Sequence, residues 1–195
     1  AFINVGNGVA DNNHPDKADF NNVDFGVYGR YNNAGDYYYA SLSYGSGKYD
    51  VTRQAAVARA STLFPQAAVV TDGSFKAKQF IGYVEKGYTF AFGRSTVQPY
   101  AAFQYAQTTG DSFTEKNGGT LNLTAKFGDL TSERAMLGAS WKYEISSMFA
   151  AGLRASWAHE FGDDSAYIDA SLLGASDTYR LHGVELGSDR FNAGA

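Results

Sequence analysis

Val97-Gln-Pro-Tyr-Ala-Ala-Phe-Gln-Tyr105 alternates without a break. In an extended chain Val97, Pro99, Ala101, Phe103 and Tyr105 take one face, and Gln98, Tyr100, Ala102 and Gln104 take the other. Successive side chains of a strand point to opposite sides, so this stretch builds one apolar wall and one wet wall. The period recurs in Ala135–Tyr143, where Ala135, Leu137, Ala139, Trp141 and Tyr143 oppose Met136, Gly138, Ser140 and Lys142. It recurs again in Phe149–Trp157, with Arg154 on the polar side. The apolar wall is aromatic at its ends and the other wall carries charge. Repeated stretches of about ten residues with this dyad pattern mark a membrane-spanning antiparallel β-barrel with a polar lumen.

Composition narrows the class. The length of 195 residues with no composition shift indicates one domain, 1–195. A mean hydropathy of −0.32 excludes a helical membrane protein but not a barrel, in which only alternate residues face lipid. No stretch approaches the roughly 20 apolar residues of a spanning helix. The net charge of −4 with scattered basic residues argues against nucleic acid as a partner. Absence of cysteine removes disulfides, thiolate metal sites and cysteine catalysis. Ala1-Phe-Ile-Asn-Val lacks the character of a signal peptide, and the chain reads as part of a longer one.

Nine strands are expected. They are Phe2–Val5, Val23–Tyr31, Tyr37–Arg53, Phe75–Phe92, Thr96–Thr108, Thr120–Tyr143 with an interruption near Gly128, Phe149–Phe161, Thr178–Leu186 and Phe191–Ala195. Gly8–Asn22 reads as a polar loop, and Gln54–Gly73 as a long mixed segment in which Ala55–Ala60 forms a helical turn. Lys86 falls on the apolar face of its strand unless a bulge shifts the register there. Short connections lie near positions 34, 94, 146 and 188, and long ones near 15, 64, 114 and 170. Short turns on one side and long loops on the other are the habit of outer-membrane barrels.

Arg30, Glu85, Gln104, Arg134, Lys142 and Arg154 have the parity of the wet wall and are expected to face the lumen. An Arg or Lys at the bilayer midplane costs about 2–4 kcal/mol, whereas in a wet lumen it costs little. These side chains either line a hydrophilic conduit or solvate a plugged one. No catalytic, cofactor or metal site is read. His159 beside Glu160 has no His-Glu-x-x-His partner and reads as an interfacial residue next to Trp157 and Phe161. Asp163-Asp164 reads as turn chemistry.

Leu153-Arg-Ala-Ser-Trp-Ala-His-Glu-Phe-Gly-Asp163, continuing to Arg180–Arg190, resembles the translocator domain of autotransporters, the bacterial type V secretion proteins. Phe25–Tyr31, Tyr38–Arg53 ending in Tyr-Asp-x-Thr-Arg, Glu85–Phe90, and Pro99-Tyr-Ala-Ala with Phe113-Thr-Glu115 extend the resemblance over the whole chain. It implies a non-enzymatic module in the bacterial outer membrane that anchors an N-terminal passenger and helps export it. Its implied partners are the lipid bilayer, the passenger of the same parent chain and the outer-membrane assembly machinery. It also implies that these residues run from about the third strand of a twelve-strand barrel to the start of the eleventh. The expected structure is then a curved sheet of eight or nine antiparallel strands that does not close. The family's barrel ends in an aromatic residue, whereas this sequence ends Gly194-Ala195. Two other readings stay open: a diffusion porin with Gln54–Gly73 as constriction loop, and a rim-site outer-membrane hydrolase joining His159 to Asp163 or Asp164.

Overall fold

The computed structural model describes residues 1–11, 16–56, 68–163, 165–185 and 187–195. Among the described residues all strand pairing is antiparallel, and the one helical element is a 3-10 turn at Gly119–Leu121. Its strands are β1 (Phe2–Asp11), β2 (Lys17–Asn33), β3 (Asp36–Ala56), β4 (Ala68–Tyr88), β5 (Phe90–Phe92), β6 (Ser95–Gly110), β7 (Phe113–Thr114), β8 (Leu123–Phe127), β9 (Leu130–Glu144), β10 (Ala150–Glu160), β11 (Tyr167–Leu172), β12 (Tyr179–His182) and β13 (Asp189–Gly194). The large sheet runs β1-β2-β3-β4-β6-β9-β10-β13, with β5 extending beside β6. A smaller sheet runs β12-β11-β8-β7. The large sheet does not close: among the described residues β1 and β13 are edges that do not pair with each other.

Local chemistry sets the short turns. β2 and β3 pair down to Asn33 opposite Asp36, leaving a two-residue turn whose Ala34 and Gly35 both have positive φ, +46° and +96°. That is the turn whose twist matches the strands it joins. Between β9 and β10, the Ser146 hydroxyl accepts from the backbone N–H of Met148 and Phe149 at 3.3 and 3.2 Å. The connections at 34–35, 93–94 and 145–149 lie at one end of the sheet and those at 12–16, 57–67, 111–129 and 161–188 at the other; three of the latter are long, as expected, while 12–16 is no longer than 145–149.

Burial inverts the pattern of a water-soluble sheet. On β2, Val23, Phe25 and Val27 are exposed, while Asn22, Asp24 and Gly26 alternating with them are less so. Leu42, Val84, Leu137 and Leu153 are each more than half exposed on the same face of β3, β4, β9 and β10. Apolar side chains so disposed would form a very large water-exposed patch, but they suit contact with lipid. Aromatic residues bound this band. Tyr31–Tyr38, Tyr88–Phe90–Phe92 and Trp141–Tyr143 lie at the short-turn end, and Phe25–Tyr44 and Phe80–Tyr105 toward the long connections. No helix among the described residues is long and apolar enough to cross a membrane, which says nothing of strands.

Several expectations from sequence are corrected. Gly8–Asn22 is mostly strand, because β1 and β2 pair from Phe2 opposite Gly26 out to Asp11 opposite Lys17. No bulge occurs at Lys86, which pairs in unbroken register with Tyr38. It sits at the short-turn end, with its ammonium 5.2 Å above the Tyr38 ring and 3.7 Å from Asp36. The break in that strand falls instead at Thr89, between β4 and β5. Residues 120–143 are not one strand: β8 leaves the large sheet and pairs with β7 and β11. Likewise β12, within the expected Thr178–Leu186 strand, pairs only with β11, so the neighbour of β10 is β13 and no short turn near 188 joins two strands of the large sheet. The expected helical turn at Ala55–Ala60 begins on the last residues of β3 and otherwise lies outside the described residues.

Strand length falls across the sheet. β3 and β4 have 21 residues each, β6 has 16, β9 has 15 and β10 has 11.

Candidate functional site

Register places one polar face across six strands, β2, β3, β4, β6, β9 and β10. Arg30 pairs with Tyr39, Tyr39 with Glu85, Glu85 with Ala102 and Ala102 with Met136. Gln104 pairs with Tyr83 on one side and Arg134 on the other, and Arg154 pairs with Ser140. All six residues singled out by parity therefore share a face, opposite Leu42, Val84, Phe103, Leu137 and Leu153.

Three of the six converge through tyrosines. The Tyr37 hydroxyl donates to Glu85 Oε1 at 2.9 Å, and the Tyr83 hydroxyl donates to Glu85 Oε2. Arg154 Nη2 lies 3.9 Å from the same carboxylate, and Arg154 Nε donates to the Tyr100 hydroxyl at 3.3 Å. The Arg154 guanidinium stands 4.7 Å over the Tyr100 ring, and that of Arg30 stands 4.6 Å over Tyr37. Glu85 is well covered, its side chain 13% exposed against 59% for Arg154. The carboxylate is thus held by two hydroxyls and one cation, while the arginine keeps donors free.

The contact between Arg154 and Glu85 reveals the curvature. Their strands are separated by β9 and β6, and their register rows meet β6 at Gln98 and Ala102. In a flat sheet that is about 14 Å sideways and about 13 Å along the strand, more than the two side chains span. The sheet is bent toward this face, which is the concave one. Glycines let the tyrosines lie flat against it. A Cβ on Gly87 would run into the Tyr37 ring opposite, and one on Gly138 into the ring of Tyr100.

The other charged residues stand apart. Arg134 donates from Nη2 to Glu160 Oε2 at 3.1 Å, where Ser132 Oγ also donates at 2.7 Å, and the backbone N–H of Glu133 donates to Oε1 at 2.7 Å. Lys142 reaches only Glu144, at 3.2 Å. Tyr37 and Glu160 join the site with the same parity, and Tyr83 and Tyr100, which alternation already puts on the wet face, prove to be part of it.

At the long-connection end the concave face is roofed. Tyr49 and Phe75 stack at 5.0 Å, and Phe75 meets Phe113 of β7 at 5.3 Å and Phe127 of β8 at 4.5 Å. The small sheet is fastened there by Arg53, whose Nε and Nη2 donate to the two oxygens of Glu115 at 2.9 and 2.5 Å. Arg53 Nη2 also donates to the Leu121 carbonyl at 3.0 Å, and Leu123 N–H to Glu115 at 2.8 Å. Burial pushes the Glu115 carboxyl up. The hydrogen bonds from Arg53 and Leu123 outweigh it and hold the group below the usual carboxylate range.

His159 lies on the opposite, apolar face. Its Nδ1 is 3.0 Å from Asp189 Oδ1, which also accepts from Trp157 Nε1 at 2.9 Å, and its ring packs edge-on to Phe161 at 4.6 Å. Asp163 bonds backbone and side chain to Thr131, and Asp164 lies outside the described residues. A ledge joining His159 to Asp163 is not formed. Of the constriction-loop candidate Gln54–Gly73, residues 54–56 and 68–73 are strand and the rest lies outside the described residues. Among the described residues no cluster of His, Asp or Glu could hold a metal.

The autotransporter β-domain family matches residues 1–195. The chain belongs to that family. In structure it is similar to the translocator domain of the autotransporter NalP from Neisseria meningitidis, with a TM-score of 0.63 and 12% identity over 98% of this chain and 69% of that one. The outer membrane protease OmpT from Escherichia coli superposes with a TM-score of 0.39 and 10% identity over 98% of this chain and 71% of that one, too loosely to bear on function. No curated protein matches the chain in sequence. An autotransporter β-domain belongs to the bacterial outer membrane, where it acts as a translocator in the export of a linked passenger.

Proposed function

We propose that the concave face is the wall of a hydrophilic conduit, and that Arg30, Glu85, Gln104, Arg134, Lys142 and Arg154 face the space through which the parent chain's N-terminal passenger is exported. The single domain 1–195 performs no bond chemistry of its own in this reading. It supplies a wet path, and the outer-membrane assembly machinery inserts the parent barrel into lipid. The observation that carries the reading is the Arg30–Tyr37–Glu85–Arg154 cluster on the concave face, behind a convex band of exposed apolar side chains. Charges bonded in this way stay on a surface that water reaches, while the apolar band meets lipid at no cost. Arg154 and Arg30 retain donors that can hold a polar segment in transit without binding it tightly.

Thiol labelling tests the assignment, helped by the absence of cysteine from this chain. In the parent protein, Gln104→Cys should react with a charged, water-soluble thiol reagent, and Val84→Cys only with a membrane-partitioning one. The reverse pattern would overturn the conduit reading.

A further inference from the structure

Above the aromatic boundary of the convex wall, the register of β3 and β4 sets Tyr44 beside Phe80, Ser46 beside Lys78 and Lys48 beside Lys76. These residues continue the face of Leu42 and Val84, and all three lysines are exposed. Lys48 is engaged by Asp50 at 2.8 Å. Lys76 and Lys78 form no ion pair among the described residues. The nearby acids do not serve them. Asp19 is held by Lys17 at 3.0 Å, and Asp111 meets Lys76 through a backbone bond to its carbonyl. Lys86, near the other end of β4 on the same wall, has both Asp36 and the Tyr38 ring. Lys48 stands directly opposite Lys76 with its own charge met by Asp50, which leaves Lys76 and Lys78 as the two cations of this patch without an ion-pair partner among the described residues.

We propose that Lys48, Lys76 and Lys78 form a docking surface for the phosphate groups of the phosphorylated glycolipid in the outer leaflet. Long connections mark the external side of such a barrel, so these lysines stand at the outer headgroup level. Their stems can lie along the Tyr44 and Phe80 rings while the ammonium groups reach the polar layer, as lysines do at membrane interfaces. Opposite charges then meet where acyl chains give way to headgroups. The inference rests on the membrane-spanning reading of the convex wall and not on passage through the conduit.

The test uses the full-length parent protein in vesicles containing bisphosphorylated lipid A, dephosphorylated lipid A or phosphatidylglycerol. Lipid retained after gentle detergent extraction is read by native mass spectrometry. The unmodified protein should retain the phosphorylated glycolipid over both others, and Lys76→Gln/Lys78→Gln should lower that retention about tenfold or more. Passenger display by the double variant should be unchanged, which separates this surface from the translocation path. If the double variant fails to insert, Lys78→Gln alone should still lower retention about fivefold, and Lys76→Arg/Lys78→Arg should preserve it. Equal retention by variant and unmodified protein, or equal retention of phosphatidylglycerol and glycolipid, would overturn the proposal.

Discussion

Arg53 grips both carboxylate oxygens of Glu115, 62 residues further along the chain, and so fastens the small sheet to the end of β3. Glu115 is 4% exposed, so the pair cannot be broken from one side without leaving a covered charge. Removing Arg53 strands the carboxylate, whereas Glu115→Gln leaves a neutral group that can still accept from Leu123. Arg53→Ala should therefore loosen residues 111–129 more than Glu115→Gln, by about 1–3 kcal/mol. Limited proteolysis at this connection would report the difference, with the parent barrel still resistant to heating in detergent.

Acid should release the same fastening. The Glu115 carboxyl is held below the ordinary value of 4.5, so the native state binds its proton less readily than the unfolded connection does. The stabilisation is present above the ordinary value and is lost as pH falls through the lowered one. Proteolytic protection of residues 111–129 should be flat from neutral pH down to the carboxylate range and fall below it. Glu115→Gln should remove this acid-dependent component.

Opposite faces should respond differently to one charge. Phe103→Arg puts a guanidinium on the convex band and should cost about 2–4 kcal/mol of folding stability in vesicles. Gln104→Arg puts it on the concave face opposite Arg134, where like charges cost at most about 1 kcal/mol. Urea titrations of the lipid-folded parent protein would separate the two.

Close approach of ring and backbone gives a fourth prediction. Gly138→Val should force the Tyr100 ring off the sheet and cost about 1–3 kcal/mol. Tyr100→Leu should relieve part of that cost when combined with it. A double-mutant cycle that is simply additive would contradict the contact.

Alternation made the spanning strands legible because one residue type per face is what a lipid-facing wall requires. Val97–Tyr105 was read with the register it has. Parity also put Arg30, Glu85 and Arg154 on one face, but not in contact, because their meeting depends on curvature and on Tyr37 and Tyr100 bridging them. Near the long connections the signal fails. Phe113, Leu123 and Phe127 belong to strands that pack on other protein rather than lipid, so no membrane imposes a dyad over a full span. The same holds for Tyr179–His182, whose apolar and polar residues read like a spanning strand but pair only with β11. Lys86 misled for a different reason: a lysine is admissible on the lipid face where an aromatic ring and a carboxylate receive it at the membrane boundary.

The decline in strand length from β3 to β10 gives the large sheet a slanted rim. At about 3.3 Å per residue and a tilt near 40°, β3 stands about 50 Å tall and β10 about half that, against an apolar band about 25 Å high. On the β9–β10 side the large sheet itself is short, and there the chain folds back above it as the small sheet of β7, β8, β11 and β12.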